Sequence, residues 1–273
     1  MNTKFARHRR RGAGSWLVAL GVALALAESA LAADNDIPRT ADGTPDLSGI
    51  WKVLENVDYD LEPHHGREDA PPGRGVVEGG KIPYQPWALE KRAENFASRH
   101  VLDPRLKCYT LGTPRGQYYP EPFQIFQRPR DITILYQFGH SVRTIHTNGT
   151  KAPEGGNRLY WLGDSRGRWE GDTLVVDVTH FNDKTWFDRA GNFHSEALHV
   201  VERWTPIGPD HIEYQATIHD PKVFTRPWTI NVLLYRQKEE NFQLIENYCF
   251  THEYDEFYPL PDIEELAVLP DGQ

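Results

Sequence analysis

Two stretches decide the fold: residues 173–181 read TLVVDVTHF and residues 198–204 read LHVVERW. Successive side chains of a β-strand point to opposite faces of the sheet. Glu202 therefore shares a face with apolar neighbours and opposes His199, while Asp177 opposes a row of Leu and Val. Apolar and ionisable groups on both faces are typical of a small barrel with a partly polar, ligand-sized interior. Core strands with charged positions at the rim give the same pattern.

The chain keeps this character from residue 122 onward. Further strands are predicted at residues 132–138, 142–146, 158–162, 212–219, 228–236 and 242–250. Turn-forming residues separate them, and the charged, glycine-rich run 163–172 is itself predicted to be a tight hairpin turn. Eight or more strands with short links favour an all-β antiparallel barrel of the lipocalin or calycin type over alternating β and α units.

An N-terminal segment, residues 33–121, is expected to pack on a barrel core formed by residues 122–273. The segment contains a candidate first strand at residues 46–51 and a loop rich in Pro, Gly and charge at residues 58–80. Pro86 opens a helical pattern, and proline is well tolerated in the first turn of a helix. The sequence therefore predicts one short N-terminal helix outside the barrel.

Residues 1–32 have the pattern of a secretory signal peptide. Five basic residues precede an apolar stretch at residues 16–27, which is too short to span a bilayer as a helix. Ala30-Leu31-Ala32 then fits the small-residue rule for cleavage. We therefore expect a periplasmic or secreted protein that is cleaved near Ala32, and the alternative is a membrane anchor.

The charge of the chain argues against two classes of partner. The full chain has a net charge of −9, and loss of residues 1–32 removes five basic residues and one acidic residue, which leaves −13. Nucleic acids and anionic membranes are bound through basic surfaces. We expect a small-molecule ligand, no nucleic acid partner and no membrane span.

The two cysteines, Cys108 and Cys249, both lie in the expected mature chain. In an oxidising compartment two such cysteines are expected to pair. The closed loop would have about 140 residues, and loop-closure entropy alone suggests roughly 5 kcal/mol of stabilisation. The alternatives are two buried thiols or a thiol nucleophile.

The first candidate catalytic group consists of histidines and carboxylates on the two deciding strands. His180 closes the first strand, His194 lies in the connection and His199 lies in the second strand. If the strands are hairpin partners, these histidines converge near Asp177 and Glu202. A histidine that shuttles protons and a carboxylate that orients it form an acid–base pair. The same groups would suit zinc, copper or iron, but their spacing matches no recognised ligand signature, so no cofactor is predicted.

A second candidate group is His140 with Arg143 and Tyr136. His140 follows Gly139, where a strand can bend, and an arginine there would clamp a carboxylate or enolate oxygen. The alternative is a surface turn. The residues predicted to contact a ligand are Arg143, Tyr136, Trp204, Tyr214 and Trp228.

Several motifs resemble those of a large family of mostly uncharacterised secreted bacterial proteins. They are PDLSGIW at residues 45–51, LGDSRGRWEGDTLVVD at residues 162–177, LHVVERW at residues 198–204 and TRPW at residues 225–228. The resemblance implies export, a β-rich fold and small-molecule function at the cell envelope, with no established reaction. Many members have adjacent Cys, His and Glu, whereas here Phe250 and Thr251 separate Cys249 from His252.

These observations lead to one main hypothesis and two alternatives. The main hypothesis is an exported small-molecule enzyme that uses His and carboxylate acid–base chemistry in a barrel pocket. Lyase, isomerase or cyclase chemistry on an aromatic or terpenoid-like substrate fits, because the sequence contains no nucleotide-binding motif. The alternatives are a non-catalytic, lipocalin-like periplasmic binding protein and a metal-dependent enzyme with histidine ligands.

Overall fold

The computed structural model describes residues 37–153 and 159–246, in which nine strands form one closed barrel. The strands are β1 Gly49–Val53, β2 Phe123–Gln127, β3 Asp131–Tyr136, β4 Val142–His146, β5 Asp164–Glu170, β6 Thr173–Thr179, β7 His199–Pro206, β8 His211–His219 and β9 Trp228–Arg236. Strand order in the barrel follows chain order, and β1 closes the barrel against β9. The predicted all-β barrel is confirmed. The predicted signal peptide and Cys249 lie outside the described residues.

Strand pairing is antiparallel at every step around the barrel except one. β4 and β5 are parallel, with Ile145 beside Ser165 and His146 beside Arg166. Parallel neighbours require a connection that returns along the barrel, and here residues 147–163 make it. β1 also lies in the N-terminal segment that was expected to pack outside the barrel, so the barrel draws on both parts of the chain.

Two strand predictions are wrong. The run 163–172, predicted to be a hairpin turn, contains β5, and the turn comprises only Gly171 and Asp172. The charged residues of β5 alternate with buried or half-buried residues and therefore share the outer face of the barrel. On that face they form ion pairs, for example between Arg166 and Asp164. The strand predicted at residues 158–162 is absent from 159–162, where Tyr160 forms only an isolated bridge.

The end of the predicted strand list also differs. Residues 242–246 are not a strand, and residues 247–250 lie outside the described part of the chain. β2 was not predicted, although its side chains alternate between buried and less buried positions. The helical pattern that begins at Pro86 corresponds to α1, Pro86–Ala97, and two further short helices follow it: α2, Arg99–Leu102, and α3, Arg115–Tyr118.

The barrel has a capped end and a hairpin end. At the hairpin end, short turns join neighbouring strands, as at residues 171–172. At the capped end, residues 54–121 and 180–198 cover the barrel, and the Tyr118 hydroxyl donates to the Phe187 carbonyl at 2.8 Å across these two segments. Their apolar side chains belong to the same core cluster as the barrel interior. Most of the long loops that can form a ligand site therefore lie at the capped end.

Candidate functional site

An ion pair lies in the middle of the barrel. Nη1 and Nη2 of Arg143 on β4 donate to the two carboxylate oxygens of Glu202 on β7, at 3.0 and 2.5 Å. Arg143 also donates through Nε to Ser165 at 3.0 Å, and the Tyr214 hydroxyl donates to Glu202 at 2.7 Å. All four side chains are buried. The alternation of β7 thus places Glu202 inside the barrel, on the face that the sequence gives it together with Val200 and Trp204.

Gln117 of α3 completes this interior network from the capped end. In the amide orientation that gives each atom a partner, its oxygen accepts from Arg143 at 3.0 Å and from the Tyr136 hydroxyl. Its amide nitrogen then donates to the Pro114 carbonyl at 2.6 Å. Burial raises the pKa of Tyr136 to about 12, and burial followed by the charge of Glu202 raises the pKa of Tyr214. These groups bind one another and form a buried polar cluster inside the otherwise apolar core of the barrel.

His199 and Asp177 form a pair on the outside of the barrel. His199 Nε2 lies 2.8 Å from Asp177 Oδ1, and the two side chains are 37% and 45% exposed. Glu202 is three residues along β7 from His199, and an odd offset places a side chain on the opposite face of a strand. The prediction that His199 and Glu202 act together is therefore wrong.

His194 is a buried structural residue in the connection between β6 and β7. Its Nε2 contacts the Thr185 hydroxyl at 2.7 Å and its Nδ1 contacts the Ser195 carbonyl at 2.9 Å. The rings of Phe181 and Phe187 flank it at 5.9 and 5.2 Å between centroids. Burial lowers its pKa, so the imidazole is neutral.

The remaining predicted histidines also lie apart. His180 directly follows β6 at a φ of 62° and contacts the Thr179 hydroxyl through Nδ1 at 2.8 Å. His140 is exposed in a short 3₁₀ turn, Phe138–His140. The predicted convergence of His180, His194 and His199 is thus not found. Within residues 37–153 and 159–246, no group of three or more His, Cys, Asp or Glu side chains has the geometry of a metal site.

Most of the predicted ligand-contacting residues are core residues. Trp204 packs edge-on against Tyr214 inside the barrel, with 4.8 Å between ring centroids. Trp228 packs against Phe187 beneath the cap. Tyr136 differs from them, because it lines a cavity of 400 Å³ together with a predicted catalytic residue, His140.

A buried carboxylate beneath the cap was not predicted. Asp188 is fully buried and accepts four hydrogen bonds. Oδ1 accepts from the backbone N–H of Ala190 at 2.9 Å and of Asn192 at 3.2 Å. Oδ2 accepts from the backbone N–H of Leu61 at 2.9 Å and from the Asn192 amide at 2.5 Å. Asp188 therefore ties the connection between β6 and β7 to the N-terminal segment.

Asp60 lies next to this group and is 5% exposed. Its Oδ2 is 3.5 Å from Arg92 and 3.7 Å from Arg67, and its Oδ1 accepts from the Glu62 backbone at 3.1 Å. Arg92 also donates through Nε to Asn192 at 3.3 Å, which connects Asp60 to the hydrogen-bond network of Asp188.

The pKa values of both carboxyl groups are raised. Burial raises the pKa of Asp60 against the opposing charge of Arg92. Burial, and then the negative charge of Asp60, raise the pKa of Asp188 to about 7. A desolvated carboxyl group and a like charge nearby both favour the protonated form. The pair therefore retains a proton at pH values where ordinary aspartates are ionised.

Asp60 also lines a cavity, which we call the Asp60 cavity. The cavity has a volume of 270 Å³ and lies between residues 55–60 and residues 72–76. Glu55, Asn56 and Arg74 provide further polar groups in its wall. A residue that lines a cavity and whose carboxyl group has a raised pKa is a candidate for proton transfer. Its signal in the sequence is weak, because Asp60 falls in a segment whose composition indicates a surface loop.

A larger cavity lies at the hairpin end. Its volume is 450 Å³, and it is lined by Trp169 together with Asp42, Gln127, Arg128 and Pro129 among others. We call it the Trp169 cavity. Its tryptophan and polar neighbours suit a ligand ring, so it is a further candidate site for a small molecule.

Comparisons with protein-family models, curated proteins and solved structures find no match to this chain. The resemblance to the secreted bacterial family therefore stays a prediction, as do export and periplasmic location. Across the part of the chain that the structure describes, no helix is long and apolar enough to cross a membrane.

Removal of the interior carboxylate should cost far more stability than removal of the outer histidine. Glu202→Ala leaves the guanidinium of Arg143 buried without its counter-charge, so we expect the free energy of unfolding to fall by about 3–5 kcal/mol. His199→Ala breaks a half-exposed pair and should change it by less than about 1 kcal/mol. Chemical denaturation of both variants at neutral pH measures the difference. A larger effect for His199→Ala would contradict the assignment of inner and outer faces.

The raised pKa of Asp188 should appear in the pH dependence of stability. Between the pKa of an unfolded aspartate, about 3.9, and the folded value, only the folded protein keeps the proton. The free energy of unfolding should therefore fall as the pH rises from about 5 to about 7, by up to ~1.4 kcal/mol per pH unit. Asp188→Asn should be less stable throughout and lack this slope. As a control, Asp131→Asn at the hairpin end should retain it, and parallel curves for the three proteins would contradict the assignment.

Proposed function

We propose that this protein is an enzyme that performs acid–base chemistry on a small polar molecule in the Asp60 cavity. The supporting observation is that Asp60 lines the cavity while burial raises its pKa. General acids and bases work best when their pKa lies near the working pH. Lyase and isomerase reactions depend mainly on such proton transfers, so this reaction class fits the site.

Asp60 is the group that touches the substrate. In its protonated form it donates a proton to a substrate oxygen or carbon, and the resulting carboxylate takes a proton back. Asp188 is a positioning residue, because it accepts hydrogen bonds from Asn192 and Leu61. Arg92 bridges Asn192 and Asp60 and fixes the orientation of the reacting carboxyl group.

The cavity also indicates the kind of substrate. Its volume of 270 Å³ lies just below the range of about 300–1,000 Å³ for sites of drug-sized ligands. Glu55 and Arg74, which pair at 2.9 Å, form part of its wall. A small polar metabolite fits these walls better than the aromatic or terpenoid-like substrate expected from the sequence.

Hydrogen–deuterium exchange tests this function with a panel of model compounds in place of the unidentified substrate. Small enolisable ketones, aldehydes and hydroxy acids are incubated with the protein in D₂O, and exchange at carbon is followed by NMR. Asp60→Asn should slow the exchange of the responsive compound by about 10²–10⁴-fold, which is the usual contribution of a general acid or base. Asp131→Asn, a matched change at the hairpin end, should leave the rate unchanged.

Two results would overturn this proposal. One is an equal exchange rate with the unsubstituted protein and with Asp60→Asn. The other is binding without exchange, abolished by Trp169→Ala, which would favour a non-catalytic binding protein that uses the Trp169 cavity.

The capped end also supports the predicted pairing of Cys108 with Cys249. Thr110, two residues after Cys108, accepts a hydrogen bond from the Ser141 hydroxyl at 2.9 Å. The Ile245 backbone donates to Gln137 in the same turn at 3.0 Å. Ile245, four residues before Cys249, and Thr110, two residues after Cys108, thus contact the same turn at residues 137–141. This arrangement supports the pairing, and a disulfide would fit export to an oxidising compartment.

Thiol counting tests the pairing. The protein purified without reductant should show no reactive thiol after unfolding and two after reduction. Reduction should lower the free energy of unfolding by about 2–5 kcal/mol, and Cys108→Ser should be insensitive to reductant. Two reactive thiols before reduction would show that the pair is not formed.

A further inference from the structure

A second, smaller cavity near the cap is surrounded by arginines. It has a volume of 150 Å³, and four arginines, two aspartates and His100 line it: Arg67, Arg99, Arg105, Arg189, Asp69 and Asp103. We call it the arginine pocket. No step of the proposed acid–base chemistry uses it, and the following inference does not depend on that chemistry.

Ion pairs hold the arginine side chains in place. Arg99 donates through Nε to Asp69 at 2.7 Å and through Nη1 to the Phe96 carbonyl at 2.7 Å. Arg67 donates through Nε to the other oxygen of Asp69 at 3.3 Å. An arginine bound to its aspartate through Nε keeps donors of the guanidinium fork for other partners. The same aspartate thus orients two arginines at once.

Aromatic rings hold the guanidinium groups as well. The guanidinium carbon of Arg99 lies 4.1 Å from the centroid of the Phe96 ring, and that of Arg67 lies 5.2 Å from it. Arg189 lies 4.5 Å from the ring of Tyr59, which also lines the pocket. Stacked guanidinium groups lose little freedom when they bind a ligand. The arginine pocket is therefore preorganised.

The ion pairs around the pocket contain more arginines than aspartates. Within 4 Å, Arg67, Arg92, Arg99, Arg105, Arg115 and Arg189 pair with Asp58, Asp60, Asp69 and Asp103. Six positive charges thus meet four negative ones, in a chain whose net charge is −9. A local excess of positive charge in an acidic protein attracts anions to that place.

We infer that the arginine pocket binds a compact oxyanion, namely a phosphate or carboxylate group. The planar fork of arginine matches the geometry of both groups. The volume of 150 Å³ accommodates an anionic group of this size and is well below the range for a whole drug-sized ligand. His100, whose side chain is 64% exposed, stands at the mouth of the pocket.

Titration with simple anions tests this inference on the full chain. Inorganic phosphate, sulfate and malonate are added at constant ionic strength, and binding is followed by calorimetry and by thermal unfolding. We expect saturable binding of at least one anion, and the anion that binds most tightly identifies phosphate or carboxylate as the preferred group. Arg99→Gln should weaken that binding at least tenfold, whereas Arg130→Gln, an exposed arginine at the hairpin end, should not change it.

A second variant keeps the test decisive if Arg99→Gln does not fold. His100→Glu adds a negative charge beside Asp69, whose Oδ2 lies 3.4 Å from His100 Nε2, and so it should weaken anion binding severalfold. Chemical denaturation of this variant shows whether its fold is kept. The inference is overturned if no anion saturates the protein, or if Arg99→Gln and His100→Glu bind the anion as well as the unsubstituted chain.

Discussion

Inside the barrel, Arg143 on β4 binds both carboxylate oxygens of Glu202 on β7, and Ser165 and Tyr214 bind the same pair. Burial of two charges carries a large desolvation cost, which is offset only when the remaining donors and acceptors also find partners. Gln117 meets that requirement from the cap. The few polar side chains inside the barrel are consequently partnered with one another, and apolar side chains surround them in the described core.

Because the buried charged groups inside the barrel are already partnered, the candidate sites lie at the ends of the barrel. At the capped end, residues 54–121 contact residues 180–198, and the buried polar groups of the two segments form hydrogen bonds with one another. Asp188 takes four N–H donors from both segments, and Asp60 lies between Arg67 and Arg92 at the edge of a cavity. Burial there raises the pKa of Asp60, which also lines the cavity.

The sequence predicts the barrel well because the alternation of apolar and polar residues along a strand directly reflects which side chains face the core. The alternation in residues 198–204 correctly separates Glu202 and His199 onto opposite faces of the strand, and the structure shows that the face of Glu202 is the inner one. The same alternation argues against a catalytic site that contains both Glu202 and His199. The two residues are close in sequence, but they lie on opposite faces of β7. Other features depend on contacts distant in sequence. Burial raises the pKa of Asp60, and its neighbour Arg92 contacts Asn192, which is 100 positions away in sequence. β5 was not predicted because its charged residues pair along the outer face of the barrel.

Asp60 and Asp103 show how distance to a guanidinium decides the role of a buried aspartate. Burial opposes ionisation of both, but Arg115 donates to Asp103 through two bonds of 3.0 Å and lowers its pKa. The arginines nearest to Asp60 are 3.5 and 3.7 Å away, and its pKa is raised. Direct charge-assisted hydrogen bonds are much stronger than longer contacts. Asp103 is therefore a fixed anion that holds the cap together, whereas Asp60 is the carboxyl group that we propose exchanges its proton with a bound molecule.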